Sequence, residues 1–166
     1  MDDIIVIGGG IAGVSITARL SKFLKVTLLE RENNLGYHAT GRSAAVFLKD
    51  YGNNIVRSLN HASSDYLEKA NGGVLSPRGL LMLGSKEDSS TFTNDYLKLG
   101  LIQISLQEAK LRFPLLNTKT TKHVAHREDV FDLDTDRFLQ DFLRDAKKNK
   151  AKIQTKSEVR KIFFKN

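Results

Sequence analysis

The run "GGGIAG" at residues 8 to 13 follows an apolar β-branched stretch, Ile4, Ile5, Val6 and Ile7, and it constrains the fold more than any other part of the chain. Gly8, Gly10 and Gly13 have the spacing G-x-G-x-x-G. Alone this pattern is common, so its weight depends on context: a strand before it, a helix after it, and an acidic residue about 20 positions on. Ile4 to Ile7 reads as a buried parallel strand, and Ile16, Leu20 and Leu24 recur at helical spacing. "KVTLLE" then supplies a second strand ending at Glu30, 22 positions after Gly8. The sequence therefore predicts a βαβ unit with a parallel sheet. Gly8 serves the tight turn, Gly10 lets a pyrophosphate approach the backbone at Ile11 and Ala12, and Gly13 lets helix and strand pack closely. Glu30 is placed to accept hydrogen bonds from two ribose hydroxyls, and its charge disfavours a 2'-phosphate. Whether the nucleotide is a flavin or a nicotinamide one is not fixed by this unit.

Composition bounds the alternatives. The 166 residues contain no cysteine, which excludes disulfides, thiolate metal sites and thiol nucleophiles. No transmembrane segment is expected, because no apolar run nears the length of a span, and the opening Met1, Asp2, Asp3 is unlike a secretory signal; a cytoplasmic chain is expected. The net charge of +7 suits nucleic acid or an anionic membrane surface. Its densest stretch, "KKNKAKIQTK", reads as the solvated end of a helix, and no aromatic residues are interleaved for base stacking, so no nucleic-acid partner is expected. His123 and His126 form H-x-x-H without a third ligand at metal spacing, and Asp132, Asp134 and Asp136 fit a helix entry better than a calcium loop, so no metal is expected.

The segment after Glu30, "RENNLGYHATGRSAAVF", separates the cofactors. Read physically, Thr40, Gly41, Arg42 and Ser43 bring a flexible backbone, two hydroxyls and a guanidinium to a second helix start, suited to a pyrophosphate and a flavin edge; as plain helix caps, Thr40 and Ser43 would need no ligand. His38 reads as a surface histidine. A strand ending in Glu, then Arg31, a glycine turn and "TGRSAA" resembles the FAD-binding start of the D-amino-acid oxidase and dehydrogenase superfamily. "LGYHATGRSAA", "YGN", "VLSPRG" and "DLDTDRFLQDFLR" are most similar to its D-arginine dehydrogenase type, over nearly the whole chain.

The resemblance implies an α/β chain: a partial Rossmann-like FAD-binding domain of residues 1–46 and 130–166, plus the beginning of an α+β substrate domain at 47–129. It implies FAD as cofactor, with contacts from Gly8, Gly10, Ile11, Ala12, Gly13, Glu30, Arg31, Thr40, Gly41, Arg42, Ser43, Ala44 and Ala45. The backbone at Val159 would meet the adenine. Tyr51 would touch a small amino acid or amine substrate, although its residue type serves packing equally well. The implied reaction is hydride transfer to flavin, with no catalytic residue identified. Val46 and Leu80 stand where the D-arginine type has a histidine and a glutamate, so a less basic substrate is expected. Because the superfamily continues beyond this length, the chain is expected to be an amino-terminal portion, weak in FAD binding and inactive alone, that requires a complementing carboxy-terminal polypeptide. A non-catalytic remnant or interaction subunit, and an NAD-binding dehydrogenase fragment, are the alternatives.

Beyond the flavin segment the pattern predicts a helix over residues 55–70 with Ile55, Leu59, Ala62 and Leu67 packed, and another over 89–99. It predicts a short helix capped by Ser105 and ending before Pro114. A long helix entered at Asp134 or Thr135 should pack Phe138, Phe142 and Leu143, and the segment 151–164 should supply strands.

Overall fold

In a computed structural model, residues 1–164 are described, and the chain divides into two compact units, one of Met1–Ala45 with the segment from Asp134 onward, the other of Val46–Leu133. The first unit is built on three parallel strands in the order β1-β2-β9, with β1 Ile4–Ile7, β2 Val26–Leu29 and β9 Lys152–Gln154. Ile4 pairs with Val26, and Thr27 with Lys152, so the three strands begin together at one end and finish together at the other. Helix α1, Ile11–Leu20, connects β1 to β2 and packs on α5, Thr135–Lys148. Their meeting faces are Val14, Thr17 and Ala18 from α1, and Leu139, Phe142, Leu143 and Ala146 from α5, all buried with Val26 and Leu28 of β2. The cap of α5 is Asp134, whose carboxylate accepts the N–H of Arg137 at 2.9 Å. Phe138 is half-buried, with its ring 5.1 Å from that of Phe142.

Two expectations change in this unit. Strand β1 is parallel as expected but is not fully buried: Ile5 and Ile7 are 57% and 56% exposed, while Ile4 and Val6 are half-buried. β1 is also the edge of the sheet, so one side of its backbone has no strand partner among the described residues. After β9 the backbone leaves the ladder, and residues 155–164 form no strand, because Ser157 N–H bonds to Glu30 O at 2.8 Å and Lys156 N–H to Glu32 O at 3.0 Å, bending the segment over the end of β2.

The second unit is antiparallel. β3 Val46–Phe47 and β4 Leu75–Pro77 flank β8 Phe131–Leu133, and β5 Leu80–Gly84 and β6 Ile102–Gln103 flank β7 His123–Arg127. The period-two alternation of β5 and β7 sends side chains to two small cores. Leu80, Met82 and Ala125 pack with Phe92 of α3, Ser89–Lys98, whereas Leu81 and Val124 pack with Ala109 of α4, Leu106–Arg112. Ser105 caps α4 by accepting the Glu108 N–H at 3.1 Å, as its position predicts. Helix α2, Asn54–Lys69, departs from its predicted packing: Leu67 is buried, but Ile55 and Leu59 are 72% and 61% exposed and Ala62 is exposed. Only the end of α2 nearest the turn at Ala70–Gly72 meets the unit's core, where Val74 N–H bonds to Leu67 O at 2.8 Å.

Arg127 ties this unit together. Its side chain is 12% exposed and reaches Asp129 through Nε and Nη2, at 2.6 and 2.8 Å, and Asp50 at 2.7 Å. It also donates to the Leu99 carbonyl at 2.7 Å, and Asp50 in turn meets His61 at 3.0 Å. The two carboxylates hold the Arg127 pKa above that of a free guanidinium, Asp129 contributing most, while hydrogen bonds from Arg127 hold both acids below the usual carboxylate range.

Candidate cofactor site

The first unit carries a built site at the carboxy-terminal end of its strands. Gly8 continues β1 by donating its N–H to Leu29 O at 2.8 Å, then turns the chain with φ +102°, a conformation that L side chains resist. A Cβ on Gly13 would overlap the Gly8 carbonyl oxygen, so glycine there sets how closely α1 approaches the turn. No acidic side chain occupies the first turn of α1, and the N–H groups of that turn have no intrahelical acceptor by geometry. One of them, that of Ile11, is taken by the Thr40 hydroxyl at 3.0 Å.

Glu30, 8% exposed, sits under this turn. Its carboxylate accepts the Gly9 N–H at 2.6 Å on one oxygen and the Glu32 N–H at 2.9 Å on the other. Burial pushes the Glu30 pKa up, but backbone N–H groups of Glu32, Gly9 and Arg31 outweigh burial and hold it below the usual carboxylate range. A buried, ionised acceptor thus stands beside a glycine turn. A Cβ on Gly9 would push the Leu35 methyl aside and press on Glu30, 3.0 Å from its carboxylate.

A cleft of 280 Å³ opens at this point, lined by Ile7, Gly8, Leu29, Glu30, Arg31 and His38 on one side of the chain's path and by Ser157, Glu158 and Val159 from the far segment. Four residues singled out in the sequence, Gly8, Glu30, Arg31 and Val159, therefore share one cleft, although Val159 is 129 positions from Glu30. Gly10, Ile11, Ala12 and Gly13 form the adjoining helix start, and Thr40 is drawn onto it. Gly36 N–H bonds to Gly9 O at 2.9 Å, and Gly41 N–H to Gly36 O at 2.7 Å, which wraps the segment 36–41 around the glycine turn.

"TGRSAA" does not open a second helix. Residues 40–42 are a turn, 43–45 are irregular, and the next element is β3. Gly41 closes its turn back onto Gly36, Ser43 Oγ accepts the Ala45 N–H at 3.0 Å, and Ala45 takes φ +49°, so the backbone bonds are spent locally and helical continuation is blocked. Thr40 acts as a cap all the same, on α1 rather than on a helix of its own. Arg42, Ser43 and Ala44 are exposed, with the Arg42 guanidinium 5.1 Å from the Tyr37 ring centroid. Tyr51 belongs to the second unit, where its ring is 64% exposed beside a backbone held by Leu48 O at 3.1 Å.

Sequence reasoning missed Gly9 and Ser157. Gly9 carried a signal, the third glycine of the run, whereas Ser157 has none that is local. His38 is exposed, as read, but its Nε2 lies 2.8 Å from Glu32 and 3.1 Å from Arg31, which places it on the rim of the cleft. The H-x-x-H histidines lie on β7, where His123 meets the Ser89 hydroxyl at 2.8 Å, and among the described residues no three His, Asp or Glu side chains are grouped to hold a metal. Among the described residues no helix is long and apolar enough to cross a membrane.

The buried carboxylate, the glycine turn and the uncompensated helix start fit an adenosine diphosphate group: hydroxyl donors to Glu30, phosphates to the N–H groups. Comparison with known proteins agrees. Residues 3–165 match the family model described as FAD dependent oxidoreductase. Among solved structures, L-proline dehydrogenase from P. horikoshii is 24% identical, with a TM-score of 0.77 over 98% of this chain and 46% of that one. Glycine oxidase from Bacillus cereus gives 17% and 0.79 over 100% and 50%. The dithionite-reduced, FAD-bound L-alpha-glycerophosphate oxidase from Mycoplasma pneumoniae gives 19% and 0.77 over 95% and 45%. At these identities the likeness is one of fold, and the chain spans about half the length of each of these structures.

Proposed function

Since the chain belongs to the FAD-dependent oxidoreductase family, we propose that it supplies the adenosine-diphosphate half of the FAD site in an enzyme that oxidises an amino acid or a related small amine. The observation that carries this reading is Glu30, an ionised carboxylate buried at the mouth of the glycine turn with lone pairs left for ribose hydroxyls. In this reading Gly8, Gly10, Ile11, Ala12 and Gly13 admit the pyrophosphate, and Arg31 and Val159 flank the adenine. Thr40, Gly41, Arg42, Ser43, Ala44 and Ala45 run toward the flavin ring. A bound FAD would supply the acceptor for a hydride from the C–H bond next to the amine. The protein's part is to bind, orient and exclude water. Residues 47–129 are assigned to the substrate side, with Tyr51 as a substrate contact, and the uncharged Leu80 favours a substrate less basic than arginine. A cytoplasmic location completes the reading.

A complementing carboxy-terminal polypeptide is part of the proposal. Its support is β1, an edge strand whose Ile5 is 57% exposed, since parallel sheets are normally covered on both faces. Flavin absorbance of the purified chain, with and without added carboxy-terminal sequence, tests both parts. Retained yellow colour and tighter FAD binding on addition are expected. A folded protein that binds NAD and no FAD in either form would sink the reading.

A further inference from the structure

The end of the parallel sheet opposite the cofactor cleft has a chemistry that flavin binding does not use. Because Ile4 pairs with Val26 and Thr27 with Lys152, the two turns that enter β2 and β9 lie at the same end of the sheet. The first, after α1, carries Lys22, Phe23, Leu24 and Lys25; the second, after α5, carries Lys150, with Lys147 and Lys148 in the last helical turn. All five lysines are exposed, and none has an ion-pair partner among the described residues. The acids at this end are engaged: Asp2 with Lys152 at 3.4 Å, and Asp3 with the Lys25 N–H at 2.8 Å. Asp145, one turn back in α5, is half-buried.

Helix C-termini attract lysine through the macrodipole, which accounts for Lys147 and Lys148. The same attraction reaches Lys22 and Lys150, each one residue past a helix cap, but it does not account for Lys25, and still less for Phe23. That ring is 83% exposed, on a turn pinned by the Phe23 and Leu24 N–H groups bonding to Leu20 O at 2.9 and 3.0 Å. An aromatic side chain held out into water between two lysines costs solubility and packs nothing. The geometry points to docking of this end of the sheet on an anionic lipid bilayer. Spread lysines need no complementary shape to be attracted by an acidic headgroup layer, and the apolar ring enters the headgroup boundary between them. A nucleic acid would use the charge but offers no apolar layer for one isolated ring. Docked this way, the protein turns the strand ends that carry Gly8 and Glu30 away from the lipid. The inference does not rest on the flavin reading.

The test is co-sedimentation of the full chain with phosphatidylcholine vesicles containing about 30% phosphatidylglycerol, against pure phosphatidylcholine, because surface attraction requires anionic lipid. Binding only to the anionic vesicles is expected, and it should disappear at about 0.5 M salt, where charges are screened within a few ångströms. Lys22→Glu with Lys148→Glu should weaken it at least about 25-fold, at roughly fivefold per lysine. Phe23→Ser should weaken it roughly tenfold by removing the apolar contact. The chain has no tryptophan, so Phe23→Trp gives a single reporter whose emission should shift to the blue on anionic vesicles only. These positions are exposed, and unchanged circular dichroism checks that each variant is folded. Absence of binding to anionic vesicles, full binding by Phe23→Ser, an unshifted Phe23→Trp spectrum, or displacement from vesicles by a duplex DNA would each overturn the inference.

Discussion

Replacing Glu30 by glutamine removes one charge and keeps the shape, so it isolates what the carboxylate does. In the protein both oxygens accept backbone N–H groups, from Gly9 at 2.6 Å and from Glu32 at 2.9 Å, in a site where the side chain is 8% exposed. Glutamine has one carbonyl oxygen and one amide nitrogen, so one of those N–H groups must face another donor. A hydrogen bond to a charged acceptor contributes about 1.5 to 3 kcal/mol, and a buried donor left unsatisfied costs about 1 to 3 kcal/mol. Because the second oxygen keeps its partner, the expected net loss is about 2 to 4 kcal/mol of folding stability before any cofactor is added. Urea unfolding of the cofactor-free chain measures it. A separate FAD titration should show affinity reduced by roughly ten- to a hundredfold, the equivalent of one charged hydrogen bond. If the cofactor-free stability of Glu30→Gln lies within about 0.5 kcal/mol of the parent, the range of ordinary surface changes, the carboxylate does not brace the glycine turn and the reasoning fails. If stability falls and FAD affinity does not, Glu30 is structural only.

Gly9→Ala should destabilise by about 1 to 3 kcal/mol through overpacking against Leu35 and Glu30, measured by the same unfolding assay. Gly8→Ala, which meets nothing within 4 Å but sits at φ +102°, should cost only the backbone strain of about 1 to 2 kcal/mol, so a clearly larger loss would contradict the geometry. Arg127→Leu removes two ion pairs whose acids are 33% and 59% exposed and leaves the Leu99 carbonyl without its donor, and thermal unfolding should show a loss of about 1 to 3 kcal/mol. Stability should also depend on acid. Glu30, Asp50 and Asp129 have folded pKa values below their unfolded ones, so their contribution is complete above the unfolded carboxyl range of about 4 and is lost as pH falls below it, which unfolding curves between pH 7 and pH 3 would register.

Local chemistry decided the elements that the sequence made legible. A strand, a glycine turn, a helix and an acid at fixed spacing allow one arrangement, and β1, α1 and β2 take it because each signal lies within a few residues of the bond it controls. Asp134 and Ser105 were readable as caps for the same reason, since each bonds to an N–H three residues on. What remained hidden depends on contacts between distant residues. Only the fold brings Ser157 to the cleft of Glu30, puts the Thr40 hydroxyl on the Ile11 N–H, and sets Gly9 between Leu35 and the carboxylate. The pattern "TGRSAA" has hydroxyls and a glycine at cap spacing, yet backbone bonds to Gly36 and within 43–45 are stronger determinants than propensity, and no helix forms. Ile5, Ile7, Ile55 and Leu59 read as core because apolar periodicity records which face an element offers for burial. Whether another element comes to cover that face is decided by the tertiary structure, and in this chain it leaves all four exposed.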